Sequence, residues 1–90
     1  FGNKNGIKVQ TTPNPFSSQF SISYQSATRE TISIRVLNMA GQVQLTKTAA
    51  ISTGYNSVTI AEAASLSKGI YLVQLVGQNG IIATERVAKQ

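Results

Sequence analysis

The only carboxylate side chains in this chain are Glu30, Glu62 and Glu85, and there is no Asp, His or Cys to join them. General acid–base or glycosidic chemistry needs two titratable groups converging on one bond, and these three glutamates lie in three different segments. A transition-metal site needs His or Cys ligands, and calcium needs several clustered oxygens. A Ser-His-Asp triad lacks two of its three members. Serine and lysine are both present, so a Ser-Lys pair is compositionally possible, but no spacing singles one out. No glycine-rich phosphate loop leads into a helix. The residue types therefore argue against an enzyme and imply neither metal nor cofactor. The chemistry left to the chain is recognition.

Charge sets the next bound. Eight basic residues against three acidic ones give a net charge of +5, yet only 12% of residues are charged. Lys4, Lys8, Arg29, Arg35, Lys47, Lys68, Arg86 and Lys89 are scattered, with no basic run. Single-stranded nucleic acid needs aromatic stacking platforms interleaved with cations. Here Phe16, Phe20, Tyr24 and Tyr71 sit at core-facing strand positions instead, so no nucleic-acid partner is expected. A weak general attraction to anionic surfaces remains.

The elements that would carry a recognition surface are strands. Ninety residues make one domain, and 41% hydrophobic content suffices for a single core. The polar surface comes mainly from 10 Ser, 9 Thr and 8 Gln. No run of about 18 apolar residues is present to span a bilayer as a helix. Without cysteine there is no disulfide framework. Residues 1–6 have turn composition and read as a linker, with the domain running from 7 to 90. The chain starts at Phe1 without a signal-peptide pattern and reads as part of something longer.

Period-two alternation then repeats along the chain. It predicts a short strand over 7–11, broken by Pro13 and Pro15, which cannot donate ladder hydrogen bonds. A half-buried strand over 16–25 places Phe16, Phe20, Ile22 and Tyr24 inward. Another strand follows with Ile32, Ile34 and Val36 inward, then a hairpin turn over Asn38-Met39-Ala40-Gly41 in which Gly41 supplies a positive φ. The strand over 42–49 should turn Val43 and Leu45 inward. A turn over 52–56 holds Tyr55, and Val58 and Ile60 mark a short strand. Residues 61–65 form at most one helical turn, with Leu66 anchoring it. Residues 70–76, apolar on both faces except at Gln74, read as a central, well-covered strand. An Asn-Gly hairpin leads into the last strand, 81–89. About seven short strands without any helical period predict an all-β, immunoglobulin-like antiparallel β-sandwich.

Three blocks stand out in this pattern: Thr12-Pro13-Asn14-Pro15-Phe16, Val36-Leu37-Asn38-Met39-Ala40-Gly41, and Gly69-Ile70-Tyr71. A short run containing Arg86, Val87 and Lys89 closes the chain. Each block alone is an ordinary strand entry, turn or strand. Together, in this order and over nearly the whole chain, they resemble the type A C-terminal sorting domain of cargo exported by the type IX secretion system. Thr12 stands where that family often has an aromatic or apolar residue, Asn38 and Met39-Ala40 where it often has Asp and a hydrophobic residue, and Gln90 where it ends on Lys.

The resemblance implies a sandwich fold and a sorting motif of Pro13, Asn14, Pro15, Phe16, Asn38, Gly41, Gly69, Ile70, Tyr71, Arg86, Val87 and Lys89. It implies a covalently attached N-terminal cargo, and as partners an outer-membrane translocon or shuttle barrel and a cell-surface sortase. The implied route runs through the periplasm to the cell surface or medium, with the domain itself a monomer. The basic last strand is the expected recognition element, open to pairing with a receptor strand. The alternative is a stand-alone cell-surface adhesion or carbohydrate-binding sandwich, which needs exposed aromatics or a metal-bearing loop. The sequence offers it only Tyr55.

Overall fold

Alternating apolar residues can be buried only by stacking one sheet on another, and the chain does so with two antiparallel sheets. The computed structural model describes residues 9–90. Seven strands follow in order: β1 (Val9–Thr12), β2 (Phe20–Ser26), β3 (Glu30–Asn38), β4 (Val43–Ile51), β5 (Gly54–Ile60), β6 (Gly69–Gly77) and β7 (Gly80–Lys89). One 3-10 turn, Ala61–Ser65, joins β5 to β6. The smaller sheet has the order β1-β2-β5 and the larger β4-β3-β6-β7. This is the predicted all-β sandwich. No helix among the described residues is long and apolar enough to cross a membrane.

The core lies between the sheets. Phe20, Ile22 and Tyr24 of β2 and Ile60 of β5 meet Ile32, Ile34 and Val36 of β3, Tyr71, Val73 and Leu75 of β6, and Ala83 and Val87 of β7. Tyr71 is buried and its hydroxyl donates to the Ser67 carbonyl at 2.6 Å, which satisfies the one polar atom the ring carries inward. Ala63 is buried under the 3-10 turn and Leu66 packs against the core beside it.

Two hairpins and one corner fix the register. At the β3–β4 turn the Asn38 side chain accepts from the amides of Ala40 and Gln42, both at 3.0 Å. Gly41, at φ +87°, donates to the Asn38 carbonyl, a backbone conformation that side chains with a Cβ resist. The β6–β7 hairpin has the two-residue loop Gln78-Asn79, closed by the pair Gly77–Gly80. Between β4 and β5 the chain changes sheet. There the Asn56 amide donates to the carbonyls of Ser52 (2.8 Å) and Gly54 (3.1 Å), and its oxygen accepts from the Ser52 amide.

Several local expectations are corrected. The predicted first strand is observed from Val9 onward; Ile7, Lys8 and the predicted linker lie outside the described residues. β2 begins at Phe20, not Phe16, because Ser17 to Gln19 form an exposed bend. Ser18, a polar residue at an inward position, is the sequence signal of that break. Val43 faces out and is 50% exposed. A bulge opposite Val36 and Leu37 makes Leu45 and Val43 partners of successive β3 residues, and one extra residue reverses which side faces the core. A second bulge, opposite Leu75 and Val76, lets consecutive Ile82 and Ala83 both be buried. Tyr55 lies on β5 rather than in a loop. Strand β6 is central in its sheet, yet only one of its faces is covered: Ile70, Leu72 and Val76 are half-buried.

Candidate functional site

The three sequence blocks and the terminal run converge on one end of the four-stranded sheet. Antiparallel pairing sets Asn38 opposite Tyr71, and Tyr71 opposite Val87. Gly69 and Ile70 lie opposite Lys89 and Ala88. The turn carrying Gly41 closes the same end. Gly69 itself has φ +153°, at the boundary that favours glycine.

The Pro-Asn-Pro-Phe block completes this end from the other sheet. After Thr12, the end of β1, the chain leaves its pairing with β2 and crosses to β7. The peptide bonds preceding Pro13 and Pro15 are cis. Both prolines are exposed and lie outside the ladders, as expected of residues without an amide hydrogen. Phe16 then pairs with Lys89 in a short parallel bridge. The Phe16 amide donates to the Ala88 carbonyl, and the Gln90 amide donates to the Phe16 carbonyl, both at 2.9 Å.

Asn14 extends the pairing with its side chain. Its Nδ2 donates to the Arg86 carbonyl at 2.9 Å, and its Oδ1 accepts from the Ala88 amide at 3.1 Å. A primary amide offers the same donor and acceptor as a peptide group, so Asn14 acts as one unit of a missing strand. From Arg86 to Gln90 the outward backbone groups of β7 are therefore bonded within the chain. An edge that the sequence suggests is open for strand addition is clasped by the chain's own residues.

Side chains reinforce the clasp. The Phe16 ring is fully buried, 4.9 Å from the Phe20 ring centroid. Lys89 Nζ lies 5.5 Å over the Phe16 ring and donates to the carbonyls of Ala63 (3.3 Å) and Ala64 (3.2 Å). These are end carbonyls of the 3-10 turn, which carry partial negative charge. Lys89 is thus a tie between the last strand and that turn. Arg86 differs from it: its side chain is exposed and points away from the core. The alternation predicts Phe16 within the β2 strand and carries no sign of its bridge or of the Lys89 tie. No local pattern signals a bridge between residues 73 positions apart.

The titratable groups are few. Burial pushes the Glu85 carboxyl up from its ordinary value. The Glu62 carboxyl is held down, first by the backbone amide it accepts from and further by Lys47 at 3.4 Å.

Comparison with known proteins agrees with this architecture. The family model described as the secretion system C-terminal sorting domain matches residues 11–90. The chain belongs to that family, the type IX sorting domains to which the sequence blocks point. No curated protein matches. Among solved structures, the chain is similar to part of the β-glucosidase from Kluyveromyces marxianus, with 9% identity and a TM-score of 0.51, over 97% of this chain and 15% of that one. It is likewise similar to part of a β-glucosidase from Bifidobacterium adolescentis, with 14% identity and a TM-score of 0.51, over 94% of this chain and 16% of that one. The chain spans less than a fifth of either enzyme, and at such identity the likeness shows a shared sandwich fold alone.

Proposed function

We propose that this domain is the folded address label of a larger exported protein. It directs an N-terminally attached cargo from the periplasm through the outer-membrane translocon, by way of a shuttle barrel. A cell-surface sortase then removes it, leaving the cargo at the surface or in the medium. The domain carries no catalytic role of its own. The observation that carries this reading is the convergence of all the motif blocks on one clasped end of the sheet, in a chain of the sorting-domain family.

The physical logic follows from the clasp. A label must survive in the periplasm as a folded object and be read there. Asn14 and Phe16, each preceded by a proline, close the β7 edge, which guards it against pairing with stray strands. Asn38, Gly41, Gly69, Tyr71 and Val87 set the sheet beneath, and Lys89 ties it to the 3-10 turn. Ile70 and Arg86 are motif side chains on the outer face of the four-stranded sheet. In this reading the receptor recognises a folded surface, and strand addition at Arg86 to Gln90 would first have to displace Asn14 and Phe16. Sortase cleavage falls at or before residues 1–8, ahead of the clasped sandwich.

The test is a fusion of the full chain to the C-terminus of a periplasmic reporter, in a host with type IX secretion. The reporter should reach the surface or medium, shortened by the mass of the domain, and should stay in the periplasm when the translocon is deleted. Retention in the competent host, or export without the translocon, would refute the proposal.

A further inference from the structure

The two outer faces of the sandwich differ in what they leave unsatisfied. On the three-stranded sheet the outward side chains are hydroxyls that bond one another: Ser21 with Thr59 at 3.0 Å, and Ser23 with Tyr55 at 3.2 Å. On the four-stranded sheet, Val43 on β4 lies opposite Leu37 on β3, Leu37 opposite Leu72 on β6, and Leu72 opposite Arg86 on β7. Ile70 flanks Leu72 along β6. Apolar side chains thus run across three adjacent strands, with Leu37, Ile70 and Leu72 half-buried and Val43 exposed. Contiguous apolar surface of this kind marks a contact site.

Charge narrows the partner. Arg35 and Arg86 both lie on this face and both are exposed. They are two of the chain's three arginines, whereas Lys47 pairs with Glu62 and Lys89 is held by backbone carbonyls. Among the described residues neither guanidinium has a carboxylate partner; the ion pair found there is Lys47–Glu62. A guanidinium fork suits a carboxylate better than an ammonium does.

We propose that the outer face of the four-stranded sheet, centred on Leu37 and Leu72 and flanked by Arg35 and Arg86, docks the domain on an apolar protein surface bearing carboxylates. This rests on the sorting reading above and names the surface by which the export machinery holds the label. Strand spacing sets the backbone positions of the two arginines about 12 Å apart, so the partner carboxylates bracket an apolar centre at a similar distance. A second copy of this chain is a poor occupant, since a two-fold contact would bring four guanidiniums together with no carboxylate on the face to meet them. Anionic lipid is also a poor fit, because stable adsorption uses clusters of about four to eight cations. The clasp serves this face: Asn14 holds the Arg86 carbonyl and so fixes where that side chain emerges.

The test uses the full chain fused to the reporter, with a photo-crosslinking residue at position 72 or, as a control on the opposite outer face, at position 57. In separate fusions, Arg35→Glu is combined with Arg86→Glu, and Leu72→Thr is made alone. Thermal unfolding establishes that each variant is folded. The residue at 72 should crosslink to an outer-membrane protein of the export machinery, and the one at 57 should not. The charge reversal should lower surface delivery by at least about tenfold, the factor expected from losing a charge-assisted contact. Failure of the unsubstituted chain to export its reporter would overturn the sorting reading and this inference together. Export by the unsubstituted chain, with undiminished export by the folded variants and equal crosslinking from 57 and 72, would overturn the docking face alone. So would vesicle binding that depends on phosphatidylglycerol and on both arginines without any protein crosslink, or a dimer in sedimentation that Leu72→Thr dissolves.

Discussion

The two edges of the four-stranded sheet are managed in opposite ways. At β7 the outward backbone groups from Arg86 to Gln90 are bonded to Asn14 and Phe16, and a buried ring backs them. At β4 the chain relies on composition. Its nine residues are half-buried or exposed except Ile51, the side chains are largely Thr, Gln and Ala, and Lys47 reaches across to Glu62. Polar, charged edges resist aggregation without being covered. The difference teaches where the molecule needs a defined shape. The covered edge joins the Pro-Asn-Pro-Phe block to the last strand, while the bare edge is kept merely polar.

Removing the core of the clasp should have the largest effect. Phe16→Ala and Tyr71→Ala each empty a buried aromatic site, and each should cost about 3–5 kcal/mol, a large share of the stability of so small a domain. Leu45→Ala, on the bare edge and only half-buried, should cost about 1–2 kcal/mol. Chemical denaturation of the three variants makes the comparison, and equal losses at Phe16 and Leu45 would erase the distinction between the edges.

Asn14→Ala leaves the fold's core untouched but removes both side-chain bonds to β7. It should cost about 1–2 kcal/mol, the net worth of two hydrogen bonds at the surface. Asn14→Asp is the sharper variant: it keeps the acceptor for Ala88 but sets a carboxylate oxygen against the Arg86 carbonyl, so its loss at neutral pH should be at least that of Asn14→Ala. Thermal unfolding in parallel with the wild type decides. Stability unchanged in Asn14→Ala would mean that water replaces the clasp at no cost.

Gly41→Ala tests the shared end of the sheet from the β3–β4 turn. A methyl group there meets nothing within 4 Å, so any loss is conformational. At φ +87° it should be about 1 kcal/mol, and Gly41→Asn should lose less.

The smallest effect is electrostatic. Burial raises the Glu85 pKa in the folded state, so the ionised carboxylate is disfavoured there relative to the unfolded chain. Stability should therefore be greater at low pH, where the group is protonated, and fall as pH rises through its folded pKa. Glu85→Gln should stabilise the domain at neutral pH, and the advantage should vanish below the ordinary carboxylate range. A gain that persists at the lowest pH would point to packing instead of charge.

Much of the fold was legible because side-chain alternation and turn chemistry are local signals. Ile32, Ile34 and Val36 announce β3, Asn38 and Gly41 its turn, and Ile70 to Val76 the central strand. What escaped were events that change parity or partner. The bulge that turns Val43 outward involves one extra residue, and alternation alone cannot place it. Phe16 fits the alternation of β2 yet bridges opposite Lys89, bonding to Ala88 and Gln90, because its partner is chosen by the crossing of the chain between sheets. Ile70 and Leu72 read as buried on both sides, although the second layer covers only one. Of the site, the motif residues could be named from their order, but the arrangement that joins Asn14 to Arg86 and Ala88 is a long-range contact with no local trace.

The central claim is that residues 14 to 16 close the edge of β7. Native-state hydrogen exchange on the full chain reads this directly, because the Ala88 and Gln90 amides donate to Asn14 Oδ1 and the Phe16 carbonyl. Both amides should exchange far more slowly than the outward amides of β4, and the protection of Ala88 should drop selectively in Asn14→Ala. Ala88 and Gln90 exchanging as fast as the outward amides of β4, with no change in the variant, would contradict the account.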